Sequence, residues 1–280
     1  MMTELLLENA YLRMRITPQG GAVLSLERVA DGQPLLHPGK GARPDGVALF
    51  PMLPVANRVR DNRFMLAGEW VMLPDSPADN DFFLHGDGWV SRWTVISQTA
   101  QRCVLTLSQR HRCGFDYHAE LSYTLVETAL QVAITLRHRG IKPMLYGTGI
   151  HPFFTLDSDT TLTFSSAGYW PEGKRHLPER WQPTLPEDAD FNRPAPVADR
   201  WQNVGYSGWG GVATLRRSDM TVQLTARTPW LMLYHPPGES FVCLEPQSHP
   251  VDAHSMEGQP GLVLLSAGEE MHFSAEIALV

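Results

Sequence analysis

The sequence predicts an all-β fold, a large antiparallel β-sandwich, and three observations lead there. Apolar and polar residues alternate with a period of two in several segments, no stretch carries a helical stripe, and 23 glycines and 22 prolines break the chain at short intervals. A period of two places one face of an extended strand on a core and the other in solvent. Frequent turn residues suit a meander of strands and argue against alternating βα units.

Taken in chain order, the alternation is loose through Arg102 to Ser108 and Tyr117 to Leu125. It becomes regular where Leu130, Val132, Ile134 and Leu136 alternate with Gln131, Ala133, Thr135 and Arg137. Near the C-terminus it returns, with Met271, Phe273, Ala275, Ile277 and Leu279 set against His272, Ser274 and Glu276. One segment departs from it. From Pro171 to Pro196 the chain is rich in proline and charge, with Trp170, Trp181 and Phe191 as isolated aromatics, and reads as a long irregular loop, either a functional lid or a simple excursion. No repeat, low-complexity tract or linker divides the 280 residues, so one domain over 1–280 is expected.

Composition narrows the partners. The formal net charge is -7 and the basic residues are scattered, which points away from nucleic acid and anionic membranes and toward a small neutral ligand. Three cysteines, Cys103, Cys113 and Cys243, fall in no Cys-x-x-Cys arrangement, so a reducing cytoplasm is the expected setting. The N-terminal Met1 to Glu8 has no leader pattern, and no apolar run reaches membrane-spanning length. A monomer or homodimer is expected.

Four short phrases carry chemistry. Asn57-Arg58 follows an apolar run, and an arginine there offers a rigid fork of donors to sugar hydroxyls or carboxylates, or else a solvated salt bridge. Leu84-His85-Gly86 sets a histidine beside a glycine that admits close approach, a pattern that also suits a purely structural histidine. Gly149-Ile150-His151-Pro152-Phe153-Phe154 fixes a histidine between glycine and proline with aromatic surface beside it, as an acid-base imidazole requires. Cys243-Leu244-Glu245-Pro246-Gln247 places a glutamate in an apolar strand-like run stopped by a proline; a buried carboxylate is costly unless paired or working. His249 and His254 lack a helix to bring them together, there is no His-Glu-x-x-His, and no metal is expected. Gly205-Tyr206-Ser207-Gly208-Trp209 lacks the last glycine of a nucleophile elbow, which sets serine hydrolysis aside.

In this order the four phrases resemble the aldose 1-epimerase, or galactose mutarotase, family. The resemblance extends over nearly the whole chain, from Leu12 to Leu26 with its Pro18-Gln19-Gly20-Gly21 turn to Pro250-Val251-Asp252-Ala253. It implies an antiparallel β-sandwich and a cofactor-free isomerase that interconverts the α and β anomers of a hexose. It implies Glu245 as the base at the C1 hydroxyl and His151 as the acid at the ring oxygen, with Arg58 and His85 donating hydrogen bonds to sugar hydroxyls or the ring oxygen and Asn57 lining the sugar site. Unperturbed glutamate, about 4.3, is ionised at neutral pH, and histidine, about 6.5, is partly protonated. Trp89, Trp93, Phe153 or Phe154 would stack on a sugar face. The chain departs from the family at one point: the best match to a sugar-binding aspartate is Asn203, with Asp199 the alternative if the loop is shifted.

Three rival readings follow from the same residues. A noncatalytic sugar-binding or sensing protein would keep Arg58 and His85. A hexose-6-phosphate 1-epimerase would use Arg58, Arg60 and Arg63 as a phosphate grip, although strand parity need not make all three converge. A glycoside hydrolase would need a second carboxylate facing Glu245, and no motif supplies one.

Overall fold

The computed structural model describes residues 4–39 and 46–280; Met1 to Thr3, the start of the N-terminal reading above, lie outside it. Two large antiparallel sheets pack face to face, as the period of two requires. Among the described residues the larger has ten strands, running from Leu5–Glu8 at one edge through Leu12–Thr17, Ala22–Arg28, Pro34–Leu36, Gly149–Thr155, Phe241–Gln247, Trp230–His235 and Gln202–Ser207 to Gly168–Trp170, with Leu49–Met52 paired beside Gly149–Thr155. The second has nine and includes the long strands Arg102–Arg110, Asp116–Val126, Ala129–His138 and Glu270–Leu279. Helical structure among the described residues is confined to 3-10 turns of three residues each.

The alternation read from the sequence sorts residues as expected. Leu130, Val132, Ile134 and Leu136 are buried between the sheets while Gln131, Ala133 and Arg137 on the same strand are exposed. Each such aliphatic side chain contributes about 1.5–3 kcal/mol on leaving water, which makes the inter-sheet layer the main source of stability. Met271, Phe273, Ala275 and Ile277 pair with that strand and join the same core.

The central strands of the larger sheet are buried on both faces. Ile150 and Phe154, Val242 and Leu244, and Leu231 and Leu233 enter the inter-sheet core. The residues between them point the other way, where Phe50, Met52, Trp89, Phe153 and Cys243 form a second, smaller apolar cluster. His151 and Glu245 share parity with Phe153 and Cys243 and so lie on this outer face.

The segment from Pro171 to Pro196 folds back on the sheet. Tyr169 exchanges backbone hydrogen bonds with Gln182 at 2.9 and 2.8 Å, and Glu172 forms a bridge with Pro178. Leu177, Ala189 and Phe191 are buried, so the segment is anchored at several points.

Candidate active site

Strand register assembles the centre of the site. Gly149 lies opposite Gln247 and Phe153 opposite Cys243, which sets His151 across from Glu245 on the outer face. Cross-strand partners in an antiparallel sheet hold their Cβ atoms about 5 Å apart, within reach of a side-chain hydrogen bond. His151 Nε2 is 3.0 Å from Glu245 Oε1. The other carboxylate oxygen accepts a hydrogen bond from Gln247 Nε2 at 3.1 Å. Both members of the pair are nearly inaccessible, at 7% for His151 and 2% for Glu245.

The same register extends to neighbouring strands. His151 pairs with Phe50 on one side, Glu245 with Met232 on the other, and the next rung carries Cys243, Tyr234 and Asn203. Phe50 stacks on the His151 ring at 4.4 Å between centroids and Phe153 stacks on it at 4.8 Å. These contacts fix the plane of the imidazole, and with it the direction of Nε2.

Two loops supply the remaining predicted residues. Asn57 and His85 both have left-handed backbone, φ 60° and 56°. They lock each other: His85 N–H donates to the Asn57 carbonyl at 3.0 Å, and Asn57 N–H donates to His85 Nδ1 at 3.1 Å. Because Nδ1 is an acceptor, the neutral ring carries its proton on Nε2. Burial first, then the neighbouring His151 and Arg58, holds His85 well below the usual histidine range. His85 is thus a neutral donor. Gly86 and Asp87 seat this loop. A Cβ at Gly86 would lie 2.1 Å from the Leu53 carbonyl oxygen, and the Asp87 carboxylate accepts hydrogen bonds from the Tyr117 hydroxyl and from His111 Nε2, at 2.7 Å in the latter case.

Arg58 Nη1 reaches Asn57 Oδ1 at 3.4 Å, while its buried Nε has no partner. Burial lowers its guanidinium from the usual value against the attraction of Asp79, Glu245 and Glu172. Burial also raises the Tyr234 hydroxyl, which keeps it protonated at neutral pH.

All six predicted site residues, Asn57, Arg58, His85, His151, Asn203 and Glu245, line one cavity of about 860 Å3. Trp89 and Phe153 line it as well. Trp93 and Phe154, expected as stacking candidates, lie in the inter-sheet core instead, because strand and loop parity turn them inward. Asp199, the alternative to Asn203, is exposed and accepts the Gly238 N–H at 2.6 Å. The three-arginine grip does not form. Arg60 is tied to buried Asp252 at 3.0 Å and Arg63 lies over Trp70 at 4.5 Å, so Arg58 is the one arginine or lysine lining the cavity among the described residues. His249 and His254, expected to be apart, have ring centroids 5.7 Å apart because a 3-10 turn at Ala253–Ser255 returns the chain. Both His249 nitrogens are occupied, Nδ1 with the Pro250 carbonyl at 2.8 Å and Nε2 with Ala56 N–H at 3.3 Å.

The sequence reading missed His176, Trp201, Tyr234 and Phe241 on the cavity wall. Tyr234 alternates with buried Leu233 in an apolar strand, a signal that becomes readable only once its neighbour strand is known.

The profile of the aldose 1-epimerase family matches residues 3–278. The chain belongs to the aldose 1-epimerase family. It is similar to an uncharacterized protein, YphB, of Escherichia coli strain K12, with 32% identity over 282 residues covering 96% of each chain. A provisionally assigned aldose 1-epimerase from E. coli K12 superposes with a TM-score of 0.95 at 30% identity, covering 100% of this chain and 99% of that one. A galactose mutarotase-like protein from Clostridium acetobutylicum shares the fold at a TM-score of 0.88 and 18% identity, covering 100% of this chain and 98% of that one. Among the described residues no helix of this aldose 1-epimerase family member is long and apolar enough to cross a membrane.

Proposed function

We propose that this protein is an aldose 1-epimerase that interconverts the α and β anomers of a free hexose by opening and reclosing its ring. The observation that carries this reading is the 3.0 Å contact between His151 Nε2 and Glu245 Oε1 at the cavity wall, with the Phe50 and Phe153 rings packed against the imidazole. The C1 hydroxyl oxygen and the ring oxygen of a hexose are both bonded to C1. An acid and a base held side by side therefore match the two atoms that must exchange protons.

Glu245 takes the proton of the C1 hydroxyl while protonated His151 gives one to the ring oxygen. The C1 to O5 bond breaks and leaves an aldehyde, whose C1 rotates about the C1 to C2 bond. On reclosure O5 attacks the other face of C1, His151 recovers its proton from O5, and Glu245 returns one to O1. The proton count of the pair is restored and no co-reactant is consumed. His85 Nε2–H and the Arg58 guanidinium serve as donors to sugar oxygens, and Asn57 aligns Arg58. A free hexose is taken as the substrate in place of its 6-phosphate because Arg60 and Arg63, the expected partners of Arg58 in a phosphate grip, are held elsewhere by Asp252 and Trp70.

The test is anomer exchange followed by NMR on glucose, galactose and their 6-phosphates against the spontaneous rate. Wild-type protein is expected to accelerate exchange of a free hexose. Glu245→Gln should abolish the acceleration, and His151→Asn should reduce it by about a hundred- to ten-thousandfold. Saturable sugar binding without exchange would replace this reading with that of a binding protein.

A further inference from the structure

The irregular segment delivers a carboxylate to the back of the cavity wall. Glu172 follows the edge strand Gly168–Trp170, and a tight hairpin brings it into place: Gly173 N–H donates to the Leu177 carbonyl at 2.7 Å, and Arg175 and His176 turn the chain with φ 57° and 59°. The tip is fastened from outside, with Arg175 lying 4.8 Å over the Phe82 ring and 3.7 Å from Asp81. Glu172 itself does not line the cavity, whereas Asn203, His176 and Trp201 do. Its carboxylate accepts hydrogen bonds from all three: from Asn203 Nδ2, from His176 Nδ1 at 2.5 Å and from Trp201 Nε1 at 2.6 Å. Burial pushes Glu172 up, but these donors outweigh it and hold the carboxyl below the usual range.

An amide has one donor end and one acceptor end, and a free asparagine on a cavity wall could present either. Here the donor end is committed to a carboxylate that can only accept. We infer that Glu172 is a positioning residue for the sugar site: it fixes the Asn203 amide so that Oδ1 is the end left to accept a hydrogen bond from a substrate hydroxyl. An aspartate at 203 would set two carboxylates within hydrogen-bond distance of each other, so with Glu172 in place asparagine is the residue that supplies an acceptor there without like-charge repulsion. The inference rests on the proposed hexose reading and assigns the specificity of one wall to a residue behind it.

An exchange of partners tests it. In Glu172→Gln one half of the new amide must face donors, either Trp201 or the pair Asn203 and His176, and Asn203 is free to turn its amino group to the cavity. KM for the best hexose is expected to rise about tenfold, the scale of one hydrogen bond, with kcat within about twofold of wild type. Asn203→Asp should raise KM similarly. The double variant Glu172→Gln/Asn203→Asp restores a donor behind and an acceptor in front, and KM should return to within about threefold of wild type. A structural role alone predicts no such rescue. Wild-type KM in Glu172→Gln, or a double variant no better than the singles, overturns the inference while leaving the mutarotase reading standing. A wild-type protein that exchanges no sugar overturns both. Should Glu172→Gln fail to fold, the comparison of Asn203→Asp with the double variant decides alone, since only partner matching separates them.

Discussion

At Asn57 and His85 the backbone settles what the side chain can do. A left-handed turn at each residue lets the two exchange hydrogen bonds, one of them consuming His85 Nδ1. The proton of the neutral ring is then on Nε2, and depression of its titration by burial and by neighbouring His151 and Arg58 keeps that donor uncharged. Arg58 beside it acts through shape as much as charge. Its buried Nε has no protein partner and its Nη1 is aligned by Asn57. Arg58→Lys preserves the charge but loses the planar fork, so KM is expected to rise about tenfold with a smaller change in kcat. Steady-state kinetics on the preferred hexose checks this, and an unchanged KM would remove Arg58 from the substrate contacts.

At the level of elements, the site is a product of strand parity and of one tightly seated loop. The loop depends on Gly86, whose φ is 72° and whose missing Cβ leaves room for the Leu53 carbonyl. Gly86→Ala should therefore displace His85 and lower stability by at least about 1–3 kcal/mol from backbone strain alone, with a larger loss of activity than of fold. Urea unfolding and exchange rates on the same preparation separate the two effects. The strands themselves were legible in the sequence wherever one face was wet, as in the run from Leu130 to Leu136. Where both faces are covered, as in Gly149–Thr155 and Phe241–Gln247, alternation disappears from hydropathy and the prolines and flanking motif had to stand in for it. The pairing of those two strands, distant in the chain, has no local signature. Tyr234 consequently could not be placed beside Glu245, Asn203 was reached through the family resemblance alone, and Glu172 could not be found at all. Its role depends on a hairpin whose turn residues, Arg175 and His176, are not the usual choices for left-handed backbone. The arginine grip failed for a related reason: Arg60 and Arg63 belong to a turn and a separate two-stranded ribbon, so strand parity did not govern them.

For the molecule as a whole, buried neutral histidines link stability to pH. Burial brings His249 down to about 4 and holds His85 and His254 well below the ordinary histidine range. In the unfolded chain the same rings titrate near about 6.5. Between those limits the unfolded state binds protons that the folded state does not, so this contribution is complete above about pH 6.5 and is lost as pH falls toward 4. Each ring contributes a slope of up to about 1.4 kcal/mol per pH unit. Urea midpoints measured at pH 7 and pH 5 should show a clear fall at the lower value, and equal midpoints would contradict the assignment of these rings as neutral in the fold.

The strands that carry His151 and Glu245 also carry Ile150, Phe154, Val242 and Leu244 into the inter-sheet core. The geometry of the proposed acid-base pair and global cohesion are thus written on opposite sides of the same peptide units. Such strands belong to the part of a protein whose amides exchange with solvent only through full unfolding. Heat or denaturant should then erase activity along the same curve that erases the fold, so that no half-working state accumulates and surviving molecules retain their full turnover.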